Sequence, residues 1–473
     1  MTRGSRPYDR ALARDTPSPG RVPGSIVPHD PNRRICGTME CRDEPGMTKI
    51  AAITAIENPP QTGNDPTMRA RPLPVAILIG LVAQILFCWR LTTPHIPYFD
   101  EVHYVPAART LMTLSHPANI EHPLLGKALI GFGMLIFGDD PLGWRALSTI
   151  AGTATVMGVF AIAWLITRRL RPAVIASLLA LLNFTILIQS RIAMLDGFMA
   201  AFVVGALAAM LWAMRGTGPQ VWRRWLLGGI LLGLAVGTKW TAAPYVAYAA
   251  TAFALLKRPD RWPGMGIVRA WSILAIASLA TYAATFAPAF FYAEDPLTLA
   301  GFVRFQLEML ARQRQILPPH TYQSVWWSWP LMLRPIWYLY EPVDGAQRGV
   351  LMLGNPAVLW GGLIAVAACL WSGLRHRAAA PLAVAGLWAG SYLVWAAIPK
   401  SPSFFYYYYL PSIWLPIVIA IAFDRYRTRL RHWDEAFLLL TAGLFMHFYP
   451  IVSATALPEP RAFLRWMWLS TWP

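Results

Sequence analysis

The chain has 473 residues, of which 56% are hydrophobic and only 14% charged, with 22 Trp and a formal net charge of +17. A soluble protein of this length keeps its apolar fraction near half and divides into two or three domains. Here the apolar residues gather instead into blocks long enough to cross a bilayer, about 20 residues per helix. The positive charge sits in short Arg clusters between those blocks, as it does in the cytoplasmic loops of membrane proteins, so it gives little reason to expect nucleic acid. Cys36 and Cys41 fall in a polar tail and Cys88 and Cys369 in apolar blocks. No disulfide framework or metal spacing follows from that placement, and neither a metal nor a cofactor is expected.

Residues 1–72 carry 11 Pro, eleven Lys or Arg and eight Asp or Glu without apolar periodicity. That composition predicts a disordered tail, placed in the cytoplasm. Met47 and Met68 are alternative starts that would leave part of it untranslated, and no cleavable signal peptide is expected. From residue 73 onward the uncharged apolar runs are 73–89, 146–167, 172–190, 197–214, 225–238, 240–256, 270–293, 349–374, 378–399, 401–423 and 436–458. They predict an all-α polytopic membrane protein with about 11 transmembrane helices. The run 225–238 is short, but Lys239 at its end can snorkel to the interface. The run 128–138 is shorter still and precedes Asp139 and Asp140, so it reads as an interfacial helix.

The distribution of Lys and Arg tests this count, because one span more would invert every later loop. With eleven spans and the tail inside, the inner loops hold sixteen basic residues, from Arg168 to Arg431, and the short outer turns hold only Arg191, Lys239 and Lys400. The long connections 90–145 and 294–348 then both fall on the outer face. The protein is thus expected in the cell membrane with its site outside, and with the Trp-rich C-terminus at the outer interface.

The first outer loop contains FDEVHY, which brings Asp100 and Glu101 to the depth of the lipid headgroups. An isolated pair of this kind reads first as a solvated acidic turn, and the rest of the loop shifts that balance. In the same loop EHPLLGK supplies His122 and Lys127 before an apolar helix, and GWR places Arg145 at the mouth of the second span. Taken together the loop offers a carboxylate able to act as a general base and cations able to hold a phosphate. A sugar carried on a lipid phosphate needs both: its leaving group is an anion, and the acceptor hydroxyl must lose a proton. Arg191 and Asp196 in SRIAMLD and Lys239 in GTKW meet the same face, with a structural ion pair as the alternative reading.

The ordered series FDEVHY, HPLLGKALIGFG, GWRALS, SRIAMLD, GLAVGTKWTA, WWSWPLMLRPIWYLYE, LMLGNPAVLW and FFYYYYLP resembles the protein O-mannosyltransferase family, glycosyltransferase family 39, of the GT-C fold. The resemblance covers the chain from about residue 73 onward. It implies inverting transfer of mannose from a polyprenyl or dolichyl phosphate to Ser or Thr of exported polypeptides, including at the secretion translocon. It further implies Asp100 as the base beside Glu101, with His122, Lys127 and Arg145 at the donor phosphate. Leu124 stands where the family usually has a second proline, and residues 294–348 are too few for the MIR domain of eukaryotic members, which points to the bacterial type.

His320, Tyr322 and Glu341 in the second outer loop and Tyr406 at the start of the tenth span are further site-lining candidates. Trp326, Trp327 and Trp329, and likewise Tyr406–Tyr409, read as interfacial aromatic anchors or as platforms for substrate. Two other functions compete: a GT-C transferase whose acceptor is lipid A or a glycolipid, and a membrane transporter or scramblase. The spans carry few charges at mid-membrane and show no repeated broken helices, which speaks against transport.

Overall fold

A computed structural model describes residues 71–316, 318–398 and 400–473. The expected disordered tail and the alternative starts at Met47 and Met68 lie outside the described residues. Fifteen α-helices occur among those described. The first is α1 (Pro72–Cys88), followed by two helices of the first long connection, α2 (Glu101–Met112) and α3 (Leu125–Phe137). Next come α4 (Pro141–Thr167), α5 (Leu170–Leu181), the short α6 (Phe184–Gln189), α7 (Leu195–Met214), α8 (Pro219–Thr238), α9 (Ala243–Leu256) and α10 (Ile267–Ala284). The second long connection holds α11 (Phe302–Gln313), and the chain closes with α12 (Pro356–His376), α13 (Ala379–Leu393), α14 (Tyr409–Arg425) and α15 (Trp433–Val452).

Local chemistry sets the ends of these helices. Pro72, Pro141, Pro219 and Pro356 each occupy a first turn, where the missing N–H has no helical partner to lose. Asp140 caps α4 by accepting from the backbone N–H of Leu142 and Gly143, and Asn355 caps α12 by accepting from Ala357. Every one of the eleven apolar runs contains a helix. Among the described residues seven helical stretches are long and apolar enough to cross a membrane by length and composition, including Pro141–Thr167, Leu195–Met214 and Phe405–Arg425. The run 172–190 is broken at Leu182 and Asn183 into α5 and α6.

α4 packs on α1, α3, α5 and α7, while α14 packs on α5, α12 and α13. In α14 every residue from Tyr409 to Ala422 is buried, which makes it the central helix. One element departs from the all-helical expectation. β1 (Ile336–Val343) and β2 (Ala346–Met352) form an antiparallel hairpin turning at Asp344 and Gly345, both at positive φ, and β3 (Ala456–Leu457) adds to β2. The period-2 burial of a two-stranded ribbon is easily lost inside an apolar run, and β2 lies partly within the run 349–374.

The aromatic anchors also need correction. Trp327 is exposed, but Trp329 is buried and packs against Trp395 and Tyr407. Trp472 is fully buried and donates to the Met332 carbonyl, while Trp468 keeps 44% exposure. Tyr406, Tyr408 and Tyr409 are all buried, so this run belongs to the protein interior rather than to a lipid-facing belt.

Candidate active site

The site is built where the first long connection folds back on the starts of α4 and α7. Glu101 opens α2 and is completely buried, as is Arg145 in the first turns of α4. The Arg145 guanidinium donates through Nε and Nη2 to the two oxygens of Glu101, each at 2.8 Å. Its other N–H groups go to the carbonyls of Leu91, Pro94 and Ile96. Glu101 accepts two further bonds, from the backbone N–H of Ala193 at 2.8 Å and of Tyr98 at 3.2 Å. All five guanidinium N–H groups are therefore taken. The pair ties residues 91–101, α4 and the turn before α7 into one unit, with the Tyr98 ring 5.0 Å beneath the guanidinium.

Asp100 is in a different situation. It precedes α2, after Phe99 at φ 52, and among the described residues the only side chain it meets within hydrogen-bond range is the Tyr104 hydroxyl, at a long 3.4 Å. Its carboxyl is raised from the usual aspartate value because it is desolvated; Lys239 pulls it down and Asp196 pushes it up again. Asp196 lies in the first turn of α7 and accepts from Lys239 Nζ at 2.7 Å, both nearly buried. Lys239 follows the end of α8 and stands 5.6 Å and 5.9 Å from the ring centres of Tyr406 and Tyr407. Asp100, Asp196 and Lys239 thus share one electrostatic environment, and the sequence had placed all three on this face.

His122 and Lys127 belong to the wall of the site. Lys127 Nζ donates to the carbonyls of Ala118, Asn119 and His122 at 3.2, 2.7 and 2.9 Å, which uses all three of its N–H groups and fixes the loop before α3. His122 Nδ1 lies 3.0 Å from Gln313 Nε2 at the end of α11, and its ring meets Tyr104 edge-on. Burial holds the imidazole well below its ordinary value, with Lys239, Lys127 and Lys400 adding to the effect, so it is neutral. Lys400 donates to the Gln313 carbonyl at 3.1 Å. Neither Gln313 nor Lys400 was singled out as a site residue from sequence. A lysine in a short outer turn was the available signal for the second, while the first is brought in only by the packing of α11.

Arg191 faces elsewhere: its guanidinium donates to the carbonyls of Leu86, Phe87, Trp89 and Arg90, closing the end of α1. Around the carboxylates stands an aromatic wall. Phe99 stacks on Tyr338 at 3.8 Å and meets Tyr406 edge-on at 5.6 Å, and Tyr406 in turn meets Phe404 and Tyr407. His320 reaches this wall through Phe404, while Tyr322 lies farther out beneath Arg334. Glu341 is not brought into the cluster; it stands exposed on β1, opposite Arg348 in register. Below Asp196 and Tyr407 lies a chamber of about 20 Å³ that reaches Tyr245. Tyr245 also borders an apolar groove of about 610 Å³, lined by residues such as Leu207, Met210, Leu255 and Trp414.

Residues 140–293 match the family described as dolichyl-phosphate-mannose-protein mannosyltransferase, and residues 298–472 match the C-terminal four-transmembrane region of protein O-mannosyltransferase. The chain belongs to the protein O-mannosyltransferase family. Within that family it is 26% identical to the polyprenol-phosphate-mannose–protein mannosyltransferase of Mycolicibacterium smegmatis (strain MKD8), over 88% of this chain and 95% of the relative. The protein of the same name from Mycobacterium tuberculosis is 28% identical over 71% and 77%. Among solved structures, the Saccharomyces cerevisiae Pmt1–Pmt2 complex bound to the sugar donor superposes with a TM-score of 0.72 at 14% identity, covering 86% of this chain and 93% of that one. ArnT from Cupriavidus metallidurans bound to undecaprenyl phosphate gives 0.57 at 17% identity, over 83% and 68%. The fold is therefore that of GT-C glycosyltransferases, as the motif series implied.

Proposed function

We propose that this protein transfers mannose from a polyprenyl-phosphate-linked donor to Ser or Thr hydroxyls of exported polypeptides, with inversion at the anomeric carbon and Asp100 as the base. The observation that carries the assignment is the contrast in hydrogen bonding: Glu101 is saturated, whereas Asp100 keeps lone pairs free beside Lys239 and Asp196. An alcohol is a poor nucleophile near neutrality, so a carboxylate within hydrogen-bond reach takes its proton as the new bond forms. The acceptor oxygen attacks the anomeric carbon, the bond from that carbon to the phosphate oxygen breaks, and the proton passes to Asp100. The leaving polyprenyl phosphate keeps the bonding pair.

That developing charge needs donors with capacity to spare. Arg145 and Lys127 are committed to Glu101 and to loop carbonyls, so we give them positioning roles. Among the described residues Lys239 has one hydrogen-bond partner, Asp196, and Lys400 one, the Gln313 carbonyl. These two lysines neutralise the phosphate in this scheme, with neutral His122 and the Phe99–Tyr338–Tyr406 wall facing the sugar. The polyprenyl chain runs into the apolar groove beyond Tyr245. The scheme routes no step through a metal or cofactor. Purified protein supplied with polyprenyl phosphate mannose and either a Ser/Thr peptide or a glycolipid tests the acceptor class; transfer to the glycolipid alone overturns the reading.

The same reading puts the protein in the cytoplasmic membrane with the Asp100 site outside, where exported chains emerge from the translocon. The basis is the concentration of Arg at the opposite ends of the spans. In a cysteine-free background, Asp295→Cys should label with an impermeant thiol reagent from outside intact cells and Thr428→Cys should not. The reverse pattern inverts the topology.

A further inference from the structure

α4 runs from Arg145 at the catalytic end to Thr167, and α14 runs from Tyr409 to Arg425, so residues 168–171 and 424–434 lie on the membrane face opposite the active site. There the starts of α5 and α15 and the end of α14 enclose a pocket of about 340 Å³. Arg169, Arg171, Arg427 and Arg431 line it, against only Asp424 and Asp434. Arg169 is paired with Asp424, and Arg171 is paired through two bonds of 2.7 Å with Asp434 and lies 2.7 Å from Glu435, just outside the lining. Arg431 contacts only the neighbouring His432, through Nε, and no carboxylate of the described residues reaches Arg427. Within the lining the Arg residues exceed the carboxylates by two, or by one when Glu435 beside Arg171 is counted, and the guanidinium groups of Arg427 and Arg431 meet no carboxylate of the described residues. Below this rim the floor is apolar, formed by Ile175, Ala420 and Phe423.

We propose that this pocket is a binding site for the phosphate headgroup of an anionic membrane lipid, whose acyl chains follow the apolar floor into the bilayer. Arginine binds phosphate through its planar fork, and basic pockets between spans are suited to anionic headgroups. The N-terminal tail is a poor occupant on charge grounds, because residues 1–72 have eleven basic residues against eight acidic ones and carry the same sign as the pocket. A free nucleotide or inorganic anion would match the rim but not the floor. The site is separate from catalysis and involves none of the residues assigned to mannose transfer.

The test uses the full-length delipidated protein in detergent, with phosphatidylglycerol or phosphatidylcholine bound and counted by native mass spectrometry. Phosphatidylglycerol should bind at least tenfold more tightly than phosphatidylcholine. Since each basic group near a membrane surface contributes about 1 kcal/mol, Arg427→Gln with Arg431→Gln should weaken phosphatidylglycerol binding by about tenfold or more. Arg427→Lys with Arg431→Lys should keep most of it. Both substituted side chains are exposed, so the thermal midpoint without lipid should match the parent in both double variants. Equal binding of the two lipids, or an undiminished preference in the Gln pair, overturns the proposal. Displacement of the lipid by inorganic phosphate alone also overturns it, since the pocket would then be a free-anion site.

Discussion

Asp100 and Glu101 are neighbours in the chain, yet Glu101 accepts four N–H bonds in a dry interior while the half-buried Asp100 accepts one long hydroxyl bond. The difference arises from the start of α2: successive residues of a first turn point about 100° apart, so one carboxylate is aimed at α4 and the other at α7 and α8. A buried, fully paired charge serves the fold, whereas an under-satisfied one beside a lysine is available for chemistry. The sharpest way to break this comparison is Asp100→Asn, which keeps the shape and removes the basicity. Transfer should fall by about 10²- to 10⁴-fold, with donor lipid still bound. Stability should not fall. A carboxyl raised above its unfolded value binds more protons in the native state, so the ionised form costs stability as pH rises through that range. Retained transfer in Asp100→Asn would remove it as the base.

The opposite signature is expected from the buried pair. Removing one partner leaves an uncompensated charge and typically costs about 3–5 kcal/mol. Arg145→Ala and Glu101→Gln should therefore both lower the thermal midpoint as well as the turnover. Arg145→Ala with an unchanged midpoint but abolished transfer would return Arg145 to the phosphate.

Lys239 links the two settings, because it pairs with Asp196 and also lowers the Asp100 carboxyl. Lys239→Met should slow transfer by about 10²- to 10³-fold, the usual loss when one donor to developing charge is removed. It should also move the acid limb of the kcat/KM profile to higher pH. Transfer is low where Asp100 is protonated and rises as it ionises, and without Lys239 that ionisation is harder. A slower enzyme with an unmoved acid limb would make Lys239 a phosphate ligand without influence on the base.

What the sequence disclosed and what it did not divide along the same line. The helical scaffold was legible because bilayer-length apolar runs and Arg clusters are written locally, and Asp100, Glu101, Asp196 and Lys239 were legible as ionisable groups at span ends. Their individual roles were not. Whether Arg145 faces a phosphate or Glu101 depends on where carbonyls 91, 94 and 96 fall, and the same holds for Lys127 and carbonyls 118, 119 and 122. Gln313 and Phe99 escaped notice because their positions are set by the docking of α11 and by a positive φ, neither of which leaves a periodic trace. The β1–β2 hairpin was hidden inside an apolar run for a related reason.

The smallest effect is expected where the hairpin tip meets the first connection. Asp344 Oδ2 lies 3.2 Å from His95 Nδ1 and accepts from the His95 backbone N–H at 3.1 Å, and this contact adjoins the carbonyls of Pro94 and Ile96 that Arg145 holds. The His95 side chain is 65% exposed, so solvent screens the pair, and pairs of this kind contribute about 0–1 kcal/mol. His95→Ala keeps the backbone bond to Asp344 and should shift the thermal midpoint by no more than that allows, with transfer nearly unchanged. The same segment is thus held from both sides, by a buried guanidinium and by a wet carboxylate, and the two grips should differ several-fold in free energy. If His95→Ala cost as much transfer as Arg145→Ala, the placement of Asp100 would depend on the hairpin. The catalytic loop would then be positioned from the second long connection rather than from α4.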